Sequence, residues 1–288
     1  MRAFDYAGTT SLVTGASSGL GEEFARQLAA RGGDLVLVAR SADRLEALAD
    51  DLRARHRVTV TTLPADLSLP AEVSRVAAHA ATTEIDVLVN NAGFGTYGTF
   101  ADLDAGREHA EIMVNTVAAV DLAHAALPGM LGRRRGGIIT VASAASFQPS
   151  PHQAVYGATK AFALAFSEAL WAETRGTGVR ILALCPGPVA TGFLASLGDQ
   201  ATTSRIYRRT ADPADIVKAG LRGFDRDAMT VVPGLRTRFL AQGHRFFPRK
   251  VMVRMTGKML AASPGAEHDR PVHAATPPAP DARAHGPK

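Results

Sequence analysis

Tyr156 and Lys160 stand four residues apart in the run Tyr156-Gly157-Ala158-Thr159-Lys160, and Ser143 lies thirteen residues upstream. On a helix that spacing puts the phenol and the ammonium on one face, one turn apart. These residue types suit proton transfer to and from a carbonyl oxygen. Reducing a ketone needs a proton at oxygen as hydride reaches carbon, and oxidising the alcohol needs that proton removed. A free tyrosine ionises near pH ~10, so its phenolate costs about 4 kcal/mol at neutral pH. A neighbouring ammonium favours the phenolate and draws the pKa toward working pH. A serine hydroxyl at Ser143, closing a strand, can hydrogen-bond the reacting oxygen as charge develops. Taken alone, a Tyr and a Lys at this spacing fit an ordinary half-exposed helix face equally well.

A second set of residues suits a dinucleotide. The first strand ends in Thr14-Gly15-Ala16-Ser17-Ser18-Gly19-Leu20-Gly21, followed directly by a helical stretch. Glycines there let the backbone turn tightly and approach a pyrophosphate, whose charge meets the positive end of the helix. The spacing is TGxxxGxG rather than GxGxxG. The end of the second strand discriminates between cofactors. An NAD site usually carries a carboxylate there for the ribose 2′-hydroxyl, whereas this chain has Ala39, Arg40 and Ser41. An arginine at that point binds a 2′-phosphate through charge-assisted hydrogen bonds, so NADP(H) is the expected cofactor, though Arg40 also fits as a surface arginine. Arg44 is either a helper or a solvated helix residue. Asp66 and Leu67 follow the third strand, where Asp66 could accept from the adenine amino group or cap a helix. Asn91, Ala92 and Gly93 follow the fourth, where Asn91 also fits as a turn residue.

The elements that must position these residues alternate strand and helix. Strands are expected at Ser11–Thr14, Asp34–Ala39, Val58–Leu63, Ile85–Asn90, Gly137–Ser143, Val179–Leu184 and Met229–Val232. Helical spacing runs through residues 22–31, Ala42–Arg55, Asp104–Met130, which holds Asn115, then Tyr156–Thr174 and Pro213–Gly223. The fold class expected is α/β: a doubly wound, Rossmann-type parallel sheet of about seven strands with helices on both faces. Runs such as Leu35-Val36-Leu37-Val38 lack polar alternation, as sheets covered on both faces require. The reading is one dinucleotide-binding catalytic domain over residues 1–262. It includes a basic helical extension, 235–262, broken near Pro248, with Leu235, Phe239, Leu240, Phe246 and Phe247 on its apolar side. Residues 263–288 hold six prolines and no periodicity, so a disordered tail is expected there.

With 288 residues, 46% hydrophobic and 6% aromatic, the chain can bury one sizeable core. No secretory signal is apparent at the start, and no run approaches bilayer-spanning length, the best being the strand Leu35–Ala39. The single cysteine, Cys185, excludes an intrachain disulfide. A cytoplasmic protein is expected. The net charge is +5, and seven Arg or Lys with no Asp or Glu lie between Ala228 and Leu260. The bland reading of that excess is a solvated basic face, and completion of the core or a subunit contact is the preferred reading of residues 235–260. A weak peripheral membrane contact through residues 235–260 is the minority alternative. Nucleic acid is not an expected partner, because stacking platforms and a recognisable motif are missing.

Together these motifs resemble the short-chain dehydrogenase/reductase family in its classical form, over about Thr9 to Leu194, two-thirds of the chain. TGASSGLG at Thr14–Gly21, NNAG at Asn90–Gly93, Asn115, Ser143, YxxxK at Tyr156–Lys160 and the run Pro186-Gly187-Pro188-Val189-Ala190-Thr191 come in the family's order and spacing. The resemblance implies that Tyr156 is the general acid/base and that Lys160 also binds the nicotinamide ribose. It further implies that Ser143 orients the carbonyl, that Asn115 positions a water in a proton relay, and that Val189 and Thr191 hold the carboxamide. Gly15, Ser17, Ser18, Gly19, Leu20, Gly21, Pro186 and Gly187 complete the implied cofactor contacts. Members with arginine at the Arg40 position generally prefer NADP(H). No metal ion is expected, and a homodimer or homotetramer is the expected assembly.

Phe94, Gly95, Ala145, Phe147, Gln153, Phe193 and Leu194 should line the substrate pocket, with no arginine or lysine poised for a carboxylate. An uncharged or lipophilic carbonyl or secondary alcohol follows, although core packing predicts similar residues. His152 is either a polarising group or a surface histidine, and Gln200–Arg209 is a candidate lid. The rival functions are an NAD-linked alcohol dehydrogenase and, in another class, a non-catalytic protein that senses dinucleotides.

Overall fold

The computed structural model describes residues 3–197, 201, 203–243 and 248–261. Seven parallel strands form one sheet: β1 (Thr10–Thr14), β2 (Asp34–Ala39), β3 (Val60–Pro64), β4 (Val87–Asn90), β5 (Gly136–Val141), β6 (Val179–Leu184) and β7 (Thr230–Val231). Their spatial order is β3-β2-β1-β4-β5-β6-β7. Val13 pairs with Leu37 on one side and with Val89 on the other, so the order reverses at β1. A crevice opens at such a reversal, beyond the carboxyl ends of the strands.

The period-two alternation of each strand feeds two cores. On one face Val13, Leu37, Val89 and Leu184 pack with helices α1 (Gly19–Ala29), α2 (Ala42–His56) and the later helix Pro213–Asp225, through Phe24, Leu28, Leu45 and Phe224. On the other face Leu12, Val36, Leu88 and Ile138 meet α3 (Pro70–Thr82) and the helix Ala118–Arg133, through Val73, Val76, Leu122 and Met130. The doubly wound architecture is therefore as the sequence predicts, with strand ends shifted by a few residues. Ile85 and Asp86 precede β4 in a turn, where Asp86 accepts a 3.0 Å bond from the Thr10 amide.

Several elements differ from expectation. Helix α3 is not apparent in the apolar spacing because it is alanine-rich; Pro70 starts it, at a position where the missing N–H costs nothing. The stretch expected as one helix, Asp104–Met130, is α4 (Ala105–Ile112) and α5 (Ala118–Arg133) joined by a π-helical turn, Met113–Val117. That continuous run is long and apolar enough by composition to cross a membrane, contrary to the sequence reading. Here α5 instead packs on α3 and on strands β4 and β5.

Further helices are α6 (Ala154–Glu173), α7 (Phe193–Ser196), α8 (Pro213–Asp225), α9 (Leu235–Gln242) and α10 (Arg249–Leu260). The break near Pro248 falls as expected, with Pro248 capping α10. The apolar side expected for α9 does not: Leu235 and Phe239 are 88% and 77% exposed, and Ala241 is the buried contact. Phe246, Phe247 and the tail 263–288 lie outside the described residues.

Candidate active site

The crevice holds a cavity of about 600 Å³. Of the residues expected to bind cofactor or substrate oxygen, Gly15, Ser17, Ser18, Gly19, Leu20, Arg40, Asp66, Leu67, Asn91, Ala92, Gly93, Ser143, Tyr156, Lys160, Pro186, Gly187, Val189 and Thr191 all line it. Gly21 and Asn115 lie behind its wall.

The glycine turn after β1 is built for a close approach. Gly15 has φ +66°, and a Cβ there would lie 2.9 Å from the Asn91 Nδ2. A Cβ at Gly21 would come within 2.2 Å of the Gly15 carbonyl oxygen. Ser18 caps α1 without a side-chain hydrogen bond, which leaves the first amides of the helix for an anion. The β4 loop is latched to the same turn. The Thr14 hydroxyl accepts from the amides of Asn91 (3.0 Å) and Ala92 (2.9 Å), and Asn91 Nδ2 donates to the Thr14 carbonyl at 2.8 Å. Asn91 thus acts as a structural latch and a cavity wall at once.

At the far end of the cleft Arg40 is exposed and forms no hydrogen bond or ion pair among the described residues. Asp66 accepts from the Ser68 amide (2.9 Å) and hydroxyl (2.7 Å), so part of it is a turn anchor. Burial would raise its pKa, but the Ser68 hydrogen bonds and the Arg40 charge outweigh that and hold it below the usual carboxylate value. Arg44 donates to Ser41 at 2.8 Å. An uncapped helix start, a glycine cradle and an unpaired guanidinium fit a dinucleotide phosphate with a further phosphate near Arg40.

The residues expected to be catalytic gather where β5, α6 and the π-turn meet. Ser143 opens a short 3₁₀ turn: its Oγ accepts from the Ala145 amide at 3.1 Å, and Ser146 Oγ accepts from its amide at 3.2 Å. Ser146 also donates to the Lys160 carbonyl at 2.7 Å, tying that turn to α6. Lys160 Nζ donates to the Val141 carbonyl at 2.8 Å and lies 5.8 Å from the centre of the Tyr156 ring. Burial lowers the Lys160 pKa to about 8. Burial likewise pushes the Tyr156 phenol above its ordinary value, and a hydrogen bond with Ser143 opposes the rise. The predicted fall of the tyrosine pKa is therefore not realised here, because burial outweighs the hydrogen bond with Ser143.

Asn115 sits in the π-turn, a distortion frequent at functional sites. Its Nδ2 donates to the Phe94 carbonyl (2.9 Å) and to Thr159 Oγ1 (3.0 Å), and its Oδ1 accepts from the Phe94 amide at 3.1 Å. The loop after β6 brings Val189 and Thr191 to the cavity, with Val189 bridged to Ala211.

Phe94, Ala145, Gln153, Phe193 and Leu194, expected around the substrate, line the same cavity, but Gly95 and Phe147 do not. Gly95 is packed behind, where a Cβ would lie 3.1 Å from the Tyr156 ring. Phe147 packs on the small core around Ala163 and Cys185. His152 stacks on Tyr97 with centroids 5.9 Å apart and does not line the cavity. Of the expected lid, Tyr207 donates to Gln153 Oε1 at 3.0 Å, while residues 200 and 202 lie outside the described residues. The sequence reading missed Arg107, which lines the cavity with its guanidinium 5.3 Å from the Phe94 ring centre and donates to the Ser196 carbonyl at 3.1 Å. It also missed Leu240, Met252, Met255 and Met259, which form an apolar wall. Only the course of the chain, not a motif, brings α9 and α10 over the crevice.

A family model described as short chain dehydrogenase matches residues 9–202. The chain is similar to sulfoacetaldehyde reductase of Chromohalobacter salexigens, 37% identical over 202 residues, covering 69% of this chain and 80% of that protein. It is 36% identical over 191 residues to hydroxysteroid dehydrogenase-like protein 1 of Gallus gallus, covering 65% of this chain but only 58% of that protein's length. Among solved structures it is similar to a short-chain dehydrogenase from Sphingobium yanoikuyae in complex with NADPH. That match has a TM-score of 0.76 and 36% identity, and covers 82% of this chain and 93% of the other.

Proposed function

The chain belongs to the short-chain dehydrogenase family, and from that premise we propose that it is an NADP(H)-dependent oxidoreductase acting on a lipophilic carbonyl or secondary alcohol. One observation carries the reading: Ser143, Tyr156 and Lys160 line a single cleft together with Arg40 and the methionine wall. When bound, the nicotinamide supplies or takes up the hydride.

The chain's own residues do the rest. Arg40 would hold the 2′-phosphate and the α1 amides the pyrophosphate, with Asp66 toward the adenine. Lys160 would bind the ribose, and Val189 and Thr191 the carboxamide. Ser143 Oγ orients the substrate oxygen, and the Tyr156 hydroxyl gives up its proton to that oxygen during reduction. Asn115 is tied by three hydrogen bonds, so it acts by holding the Phe94 loop and α6 in register with a water. The NADPH in the Sphingobium structure supports the cofactor choice.

The substrate class rests on the wall of Leu240, Met252, Met255 and Met259. Methionines adapt to irregular apolar shapes, which suits a bulky ketone better than a small anion. Arg107 is partly spent on Phe94 and Ser196, which is compatible with a polar group at the rim rather than with a carboxylate anchor. The test is carbonyl-dependent oxidation of NADPH, followed by absorbance, over ketones from small to bulky. Preference for bulky ketones and for NADPH over NADH is expected. Preference for NAD with alcohols would favour the NAD-linked dehydrogenase instead, and cofactor binding without turnover would favour a non-catalytic sensor.

Two surfaces support partners. Ile112 and Phe162, exposed on α4 and α6, suit a homodimer or homotetramer, which light scattering would measure. Exposed Leu235 and Phe239 beside Arg236 and Arg238 suit a weak contact with an anionic membrane. Vesicle sedimentation at low and high salt tests that contact.

A further inference from the structure

Glu111 is a fully buried carboxyl to which the mechanism above gives no role. It stands on α4, four residues before Asn115. Its Oε2 is 3.0 Å from the Thr96 hydroxyl, which is also 3.4 Å from Glu108 Oε1. Glu108 is 6% exposed and Thr96 3%, while Glu111 Oε1 is buried with no partner. A hydroxyl carries one proton. The Thr96 hydroxyl can donate to one carboxyl only, and the Thr96 amide also acts on Glu111, so the remaining hydroxyl contact is filled when a carboxyl is itself protonated and donates. Leaving two carboxylates in this enclosure would bury uncompensated charge.

The enclosure adjoins the catalytic pair. A Cβ at Gly93 would lie 2.9 Å from Asn115 Oδ1 and 3.4 Å from Lys160 Nζ. Three residues further along the same loop, Thr96 holds Glu111. Glu108 and Lys160 are the charged groups that act on Glu111, and the Glu111 charge acts in turn on Tyr156 and Lys160. Burial raises the Glu111 pKa to about 7, which puts its proton in play near neutrality.

We propose that Glu111 is a positioning residue for protons, acting through Lys160 to restore the Tyr156 proton in each turnover, with Glu108 linking it to solvent. This rests on the oxidoreductase reading. In reduction, hydride adds to the carbonyl carbon, the Tyr156 Oη–H bond breaks, and a new O–H bond forms on the substrate. The phenolate takes a proton from Lys160 Nζ. The resulting amine takes one from the Glu111 carboxyl across a water, since Glu111 and Lys160 form no direct ion pair. The Glu111 carboxylate then takes one from solvent past Glu108. One solvent proton and one hydride are consumed, and oxidation runs the same transfers in reverse.

Glu111→Gln keeps the shape and the Thr96 contact but carries no transferable proton. Wild-type reduction is expected to lose kcat as pH rises through about 7. The Gln variant should be slower by about tenfold at pH ~6, should lack that limb, and should show a larger solvent isotope effect, with KM and NADPH binding unchanged. Glu111→Asp should restore a limb at a shifted midpoint. In glutamate labelled with ¹³C at the carboxyl, one signal should titrate near pH 7 and vanish in the Gln variant. An unchanged pH profile in Glu111→Gln, or a Glu111 signal that titrates wholly in the ordinary glutamate range, overturns the relay while the oxidoreductase reading stands. Wild-type protein that reduces no carbonyl overturns that reading and the relay with it.

Discussion

Lys160 Nζ lies 5.8 Å from the centre of the Tyr156 ring while it donates a 2.8 Å hydrogen bond to the Val141 carbonyl at the end of β5. The ammonium is thus anchored to the sheet beneath the phenol, and its position depends on strand geometry more than on the flexible lysine stem. Burial disfavours its charge and lowers its pKa to about 8.

That shift has a signed consequence for stability. Between about pH 8 and 10.5 the unfolded chain binds the lysine proton and the folded chain does not, so this group's contribution rises with pH across that window. Tyr156, shifted upward, acts in the opposite sense at still higher pH. Lys160→Met should therefore flatten the pH dependence. Urea unfolding at pH ~7.5 and ~9.5 checks it: the wild-type stability minus that of the variant should increase between the two.

Arg40 is unpaired among the described residues and close enough to lower the Asp66 pKa. Arg40→Ala should weaken NADPH binding by roughly tenfold or more, through loss of charge-assisted hydrogen bonds, and leave NADH binding nearly unchanged. Fluorescence titration with both cofactors reads this directly, and the NADPH effect should shrink at high salt.

Thr14 joins β1 to the β4 loop through one hydroxyl that donates to the Val89 carbonyl and accepts two amides. Thr14→Val keeps the shape but leaves buried polar groups unpaired, which should cost about 2–4 kcal/mol. Chemical denaturation should show the loss, together with weaker dinucleotide binding.

The wall on α10 should set substrate size. Met255→Trp fills the cavity from a partly exposed position. It should lower kcat/KM for bulky ketones by about tenfold while small ketones change little. Steady-state kinetics on the two classes provides the comparison.

Much of this site was legible in the sequence because its signals are local. Tyr156 and Lys160 share a helix face by spacing alone, and the glycines from Gly15 to Gly21 mark a turn that no side chain would fit. The sheet was legible because unalternated runs such as Leu35–Val38 suit only strands covered on both faces. Helix α3 was not, since Val73, Val76 and Ala80 are too sparse among alanines to declare a face. The π-turn at Asn115 leaves no mark in residue types. Arg107, Glu111 and the three methionines of α10 were missed for one reason. Burial and proximity in these cases come from contacts between distant segments, and no spacing along the chain encodes them.

The most direct measurement is reduction of a bulky lipophilic ketone by NADPH in wild-type protein and in Tyr156→Phe. Ketone-dependent NADPH oxidation is expected in the wild type. In the variant kcat should be lower by a factor of about 100 or more, with NADPH affinity retained. Turnover in Tyr156→Phe equal to wild type, or no turnover in the wild type across the ketone series, would contradict the proposed function.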